Sequence, residues 1–133
     1  MTNVRMKKVV FGILVMVIKR LMMKEKQIIR ICPDYNYYLW DSDDVAIDLI
    51  DLLDNDGRPI IMPELDEWAK ENRSIIVASE TGYPYEKDWE DYHKRGLSLA
   101  HHLRGLLPCN YELWYEAPFE DKSGIIPQSL KII

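Results

Sequence analysis

The chain has 133 residues, 47% of them hydrophobic and 29% charged, with 17 bases, 22 acids and a formal charge of −5. That length gives one domain with room for a core but not two of ordinary size, and the composition excludes a disordered chain. Residues 1–22 hold five bases (Arg5, Lys7, Lys8, Lys19, Arg20) and no acid, so the remainder carries 12 bases against 22 acids, a charge of −10. A surface of that sign repels nucleic acid and attracts basic proteins over roughly one Debye length, about 8 Å at physiological salt.

The chain divides near Met22 into a basic and apolar extension, residues 1–22, and a single domain, residues 23–133. The apolar run Val9 to Ile18 is about half of the roughly 20 residues a bilayer span needs. It has the basic and apolar parts of a secretory signal, yet Lys19, Arg20 and Lys24 stand where small residues should mark cleavage. Three readings stay open: a mis-set start or dispensable extension, an export or membrane-directed segment, and a helix of the fold. The domain itself is expected in the cytoplasm, with membrane contact only if residues 1–22 are retained.

Gln27 to Cys32 reads as a first strand on its β-branched residues Ile28, Ile29 and Ile31. Pro33-Asp34-Tyr35-Asn36 is a turn, and Tyr37 to Trp40 a second strand, which suits a hairpin. Asp41, Asp43, Asp44, Asp48, Asp51, Asp54 and Asp56 follow without a base among them. Asp44, Asp48 and Asp51 share one helical face and Val45, Leu49, Leu52 and Leu53 another, so a short acidic helix is expected, capped by Ser42 or Asp43. Asn55-Asp56-Gly57 forms a turn. Pro63 opens a second helix, with Glu64 and Asp66 in its first turn and Leu65, Trp68 and Ala69 on its apolar stripe, expected to stop near Asn72. Ser74 to Ala78 is a brief strand or extended connection, and Glu80 to Tyr85 a loop.

The longest periodic pattern runs from about Lys87 to Leu107. Trp89, Tyr92, His93, Gly96, Leu97, Ala100, Leu103, Leu106 and Leu107 recur at three- and four-residue steps and define the buried face of a helix. Gly96 and Ala100 let its backbone lie close to a sheet. Pro108 ends it, and Tyr111 to Tyr115 makes an aromatic strand. Ile125 to Ile133 is an apolar tail that either packs back on the domain or meets another chain. The fold class expected is α+β: a small, mainly antiparallel sheet from about Gln27, Tyr37 and Tyr111, covered on one face by two or three helices, with the acidic helix at an edge.

No arrangement carries catalysis. With Gly57 as the sixth position of a calcium loop, the first ligand position would be Leu52 and the twelfth Pro63, and neither is a ligand. His93 and His101 are roughly 12 Å apart along a helix, and no cysteine completes a zinc set. Glu86, Asp88, Glu90 and Asp91 are explained by the helix dipole, and Ser79, Thr81, Ser98 and Cys109 lack a nucleophile's setting. Neither metal nor cofactor is expected. Cys32 and Cys109 allow one internal pairing, but two thiols are the commoner state in a cytosolic protein. The aromatic residues say more: Tyr35, Tyr37, Tyr38, Trp40, Tyr111, Trp114 and Tyr115 exceed what one face of a small sheet can bury. The surplus, beside the acidic run, has the composition of an interface anchor ringed by charge.

Leu39-Trp40-Asp41, Glu64-Leu65 with Trp68, Ser79 with Gly82, Gly96-Leu97-Ser98-Leu99-Ala100, and Tyr111 with Tyr115 together resemble a pattern of small acidic bacterial proteins, across residues 27–116. Some proteins of this look are similar to immunity proteins, which neutralise a toxin by binding it. The resemblance implies a non-catalytic inhibitor of a basic toxin and carries over no catalytic residue. The residues expected to meet that partner are Trp40, Asp41, Asp43, Asp44, Asp48 and Asp51. The alternative is a small regulatory or structural subunit that assembles through the tail. A third reading, an enzyme, would be marked by a deep pocket holding a histidine and a carboxylate in contact.

Overall fold

The computed structural model describes residues 12–14, 26–34, 36–81 and 88–133, and for residues 73–81 the backbone alone. The readings of residues 1–22 as a unit, of Tyr35, and of the loop from residue 82 onward lie outside the described residues. Among those described, no helix is long and apolar enough to cross a membrane.

Among the described residues four strands form one sheet: β1 (Gln27–Ile31), β2 (Leu39–Trp40), β3 (Tyr111–Glu116) and β4 (Ser129–Ile132), in the order β2-β1-β3-β4. The outer pairings β1–β2 and β3–β4 are antiparallel, and the central pairing β1–β3 is parallel, aligning Ile29 with Leu113 and Ile31 with Tyr115. A parallel neighbour requires a long crossover, supplied here by everything between Cys32 and Asn110. Two helices lie in it, α1 (Pro63–Thr81) and α2 (Trp89–Leu106). The fold is therefore α+β and mainly antiparallel. The tail packs back as β4, with Ile132 only 3% exposed, while Ile133 stays outside.

Strand alternation sends Ile29, Ile31, Leu39, Leu113, Tyr115 and Ile132 to one face, where they are buried. Helix α2 covers that face with Tyr92, Ala100 and Leu103, and α1 adds Leu65, Trp68 and Ala69. Asp88 caps α2 by accepting from the Asp91 N–H, and the Arg104 guanidinium closes its other end by donating to the carbonyls of Leu107, Pro108 and Tyr111. The close approach expected at Gly96 is present. A Cβ there would lie 2.3 Å from Trp68 Cζ2 and 2.5 Å from Tyr115 Oη. The Trp68 ring stacks on Tyr92 at 4.5 Å and donates its indole N–H to the Tyr92 carbonyl, so it cannot step aside cheaply.

Two expectations are corrected. The helix from Pro63 runs on to Thr81, so the segment Ser74 to Ala78 is helical rather than extended. Its residues Ser74-Ile75-Ile76-Val77-Ala78 favour strand only locally, and a helix already nucleated continues at little cost. The acidic helix does not form either: one 3-10 turn, Leu49–Asp51, is the helical part of the segment. Short-range side-chain chemistry prevails there. The Asp41 carboxylate accepts from the N–H groups of Asp43 and Val45, and Asp41 N–H donates to the Val45 carbonyl. Asp54 does the same with Asp56 and Arg58. The fourth residue of each turn is left-handed, Asp44 at φ 61° and Gly57 at φ 75°. Aspartates that read as a helical face are thus building two matching five-residue turns.

Candidate functional site

Both helices lie on the inner face of the sheet, and the outer face is built from the alternate residues of the same strands. Arg30 sits at its centre, level with Trp40 on β2 and Trp114 on β3. All three are half-buried. The Arg30 guanidinium donates to Glu116 at 2.9 Å, to the Asp41 carbonyl at 3.0 Å, and to Asp44. Burial works against the charged form of Arg30, but the carboxylates of Asp44 and Glu116 outweigh it and hold the group above its ordinary value. The left-handed backbone at Asp44 puts its carboxylate on Arg30, although that carboxylate is 82% exposed. Trp40 donates its indole N–H to the Cys32 carbonyl at 2.9 Å, and Trp114 donates to Glu112 at 2.7 Å. Lys131 faces Glu112 at 3.8 Å.

Two shallow cavities flank Arg30 and Asp44. One, about 410 Å³, runs along Ile28, Glu112, Trp114 and Ser129. The other, about 450 Å³, is bounded by Pro33, Asp34, Trp40, Phe119 and Glu120. Phe119 is 82% exposed and carries the Lys122 ammonium 4.2 Å from its ring centre. Behind this wall stands Asn72, fully buried on α1, whose amide donates to the Pro33 carbonyl at 3.1 Å and to Glu120 at 3.2 Å. Among the described residues its own Oδ1 has no hydrogen-bond partner, a state that costs about 1–3 kcal/mol. The contacts to Pro33 and Glu120 are what Asn72 contributes in exchange.

The residues expected to meet a partner fall into three groups. Trp40 lines the larger of these two cavities; Asp41 is committed to its turn and Asp44 to Arg30; Asp43, Asp48 and Asp51 are exposed. Without a helix, Asp44, Asp48 and Asp51 share no helical face. Strand alternation buries Tyr115, sets Tyr111 against the core and leaves Trp40 and Trp114 outside, while ahead of β2 Tyr38 packs against the core and Tyr37 is 48% exposed. Tyr37 meets Trp40 edge to face at 6.1 Å. Sequence reasoning passed over Arg30, Glu116, Phe119 and Glu120. A lone base inside the apolar strand Ile28-Ile29-Arg30-Ile31 was the available signal for the first.

A second polar group lies on the inner face. His93, with its side chain 2% exposed, has Nδ1 2.7 Å from Tyr115 Oη and Nε2 2.6 Å from Asp121 Oδ2. Burial pushes the Asp121 carboxyl up, but hydrogen bonds from Ser123 and His93 outweigh it and hold it below its usual range. Burial, reinforced by Asp121, pushes the Tyr115 phenol up. A histidine and a carboxylate are in contact here, yet none of the four described cavities is lined by either residue. The trio joins α2, β3 and the segment after β3. Burial also pushes the Cys32 thiol up to about 11, away from nucleophilic use; Cys32 and Cys109 are both free thiols. Among the described residues no group of three His, Cys, Asp or Glu side chains is placed to hold a metal ion. No family model, curated protein or solved structure matches the chain.

Proposed function

We propose that the protein is a non-catalytic binding protein that captures a basic partner protein on the outer face of its sheet, as an immunity-type inhibitor occludes a toxin in the cytoplasm. The observation that carries the reading is the pair of half-buried tryptophans, Trp40 and Trp114, on either side of the Arg30–Asp44–Glu116 cluster. Tryptophan and arginine dominate interface hot spots, and surrounding carboxylates add speed and selectivity toward a basic surface. Asp43, Asp48 and Asp51 would steer the approach and the tryptophans would hold the complex. The toxin-inhibitor form of the reading comes from the likeness in sequence pattern to immunity proteins. The test is association with the captured partner at low and high salt, before and after changing Asp43, Asp48 and Asp51 together to Asn. Slower association at low salt with little change at high salt is expected; an unchanged rate at both would remove the electrostatic mechanism.

The second reading, self-assembly, has one observation in its favour. β4 is an edge strand followed by Ile133, which is 97% exposed, and an uncovered edge can pair with a copy of itself. Light scattering across a range of concentrations decides it, since a monomer throughout ends that reading.

A further inference from the structure

The cavity between Trp40 and Phe119 has a more definite chemistry than the rest of the outer face. Around it stand the carboxylates of Asp44, Glu116 and Glu120 and, among the described residues, two cations, Arg30 and Lys122. Arg30 is already engaged by Asp44 and Glu116, and the described residues give Glu120 no cationic partner. The site therefore has negative charge in excess. Trp40 has its N–H tied to Cys32, leaving the ring itself as contact surface. Phe119 stands in solvent and already carries an ammonium over its ring. Asn72 fixes Pro33 and Glu120 from behind, so the wall is set before anything binds. Aromatic faces beside an oriented carboxylate suit a planar guanidinium, which stacks and donates in a fork; an ammonium offers only a point charge.

We propose that this cavity receives an arginine side chain of the partner, with its guanidinium against Trp40 and Phe119 and donating to Glu120. The inference rests on the binding-protein reading and narrows the partner to one presenting an exposed arginine.

The test is an NMR titration of the full chain with the tripeptide acetyl-Gly-Arg-Gly-amide, with the citrulline and lysine tripeptides as comparators. Citrulline keeps the shape and loses the charge. The arginine peptide should move the Trp40 indole signal and the amides of residues 119–121 saturably, and leave the Trp114 indole in place. Phe119→Ala and Glu120→Gln should each weaken it roughly three- to tenfold, and citrulline should bind at least about tenfold more weakly. Equal binding of citrulline or lysine, shifts centred elsewhere, or indifference to both variants would overturn the proposal. The two readings fail separately. A captured partner that binds Phe119→Ala and Glu120→Gln as tightly as the parent removes the arginine site and keeps the binding protein. A specific arginine response without any captured partner keeps the site and removes the function.

Discussion

The two faces of the sheet come from the same strands but follow different rules. The inner face is closely packed: Gly96 has no room for a methyl group, and the ring nitrogens of His93 meet Tyr115 and Asp121. The outer face holds Arg30, Trp40 and Trp114 in partial exposure, with the carboxylates of Asp34, Asp44, Glu112, Glu116 and Glu120 around them. The contacts of the inner face are those a stable fold needs, and the proposed reading assigns the outer face to a partner. Substitutions should therefore separate into inner ones that unfold the chain and outer ones that leave it folded but alter capture.

The largest effect belongs to Gly96→Ala. Its new Cβ collides with Trp68 and Tyr115, and overpacking of this kind costs about 3 kcal/mol, read by urea unfolding. A loss under about 1 kcal/mol would show that the inner face is looser than described. Next comes His93→Leu, which strands the buried Asp121 carboxylate and the Tyr115 hydroxyl and should cost about 2–3 kcal/mol. Asp121 also gives the contrast a pH dependence. Because its folded value is lowered, its contribution is complete above the unfolded value of 3.8 and is lost as pH falls through the lower folded value. Asp121→Asn should lower stability at neutral pH and flatten the acid limb of a stability-against-pH curve.

Smaller effects compare the two matching turns. Gly57 meets the left-handed requirement freely, whereas Asp44 meets it at a cost of about 1 kcal/mol. Gly57→Ala should therefore destabilise by about 1 kcal/mol, and Asp44→Gly should be neutral or stabilising despite breaking the pair with Arg30. A clear loss at Asp44→Gly would mean that the pair supports the fold rather than the outer surface. The smallest stability effect is expected at Phe119→Ala, within about 0.5 kcal/mol, because the ring is 82% exposed.

What was legible followed from long periodic signals. The stripe from Trp89 to Leu107 located α2 to within two residues at each end, and the small residue Gly96 announced its close approach. The strands at Gln27 and Tyr111 were legible from their branched and aromatic residues, but their parallel pairing was not, since nothing local in a strand of five or six residues records which neighbour it takes. The acidic segment misled because aspartates at helical spacing also serve turns, and the choice between helix and turn lies in side-chain hydrogen bonds that periodicity does not register. Trp40 was legible as a candidate. Its surroundings were not, because Arg30 and the adjacent Phe119 and Glu120 come from two distant stretches that only the closed sheet brings together.

The most direct measurement is affinity capture by the full chain from a lysate of the organism that makes it, run beside a double variant, Trp114→Ala with Phe119→Ala, shown by circular dichroism to be folded. The account predicts one basic protein in near-equal amount on the parent chain, reduced at high salt and lost from the variant. Equal recovery on both chains, or recovery of the chain itself alone, would contradict a partner-binding outer face.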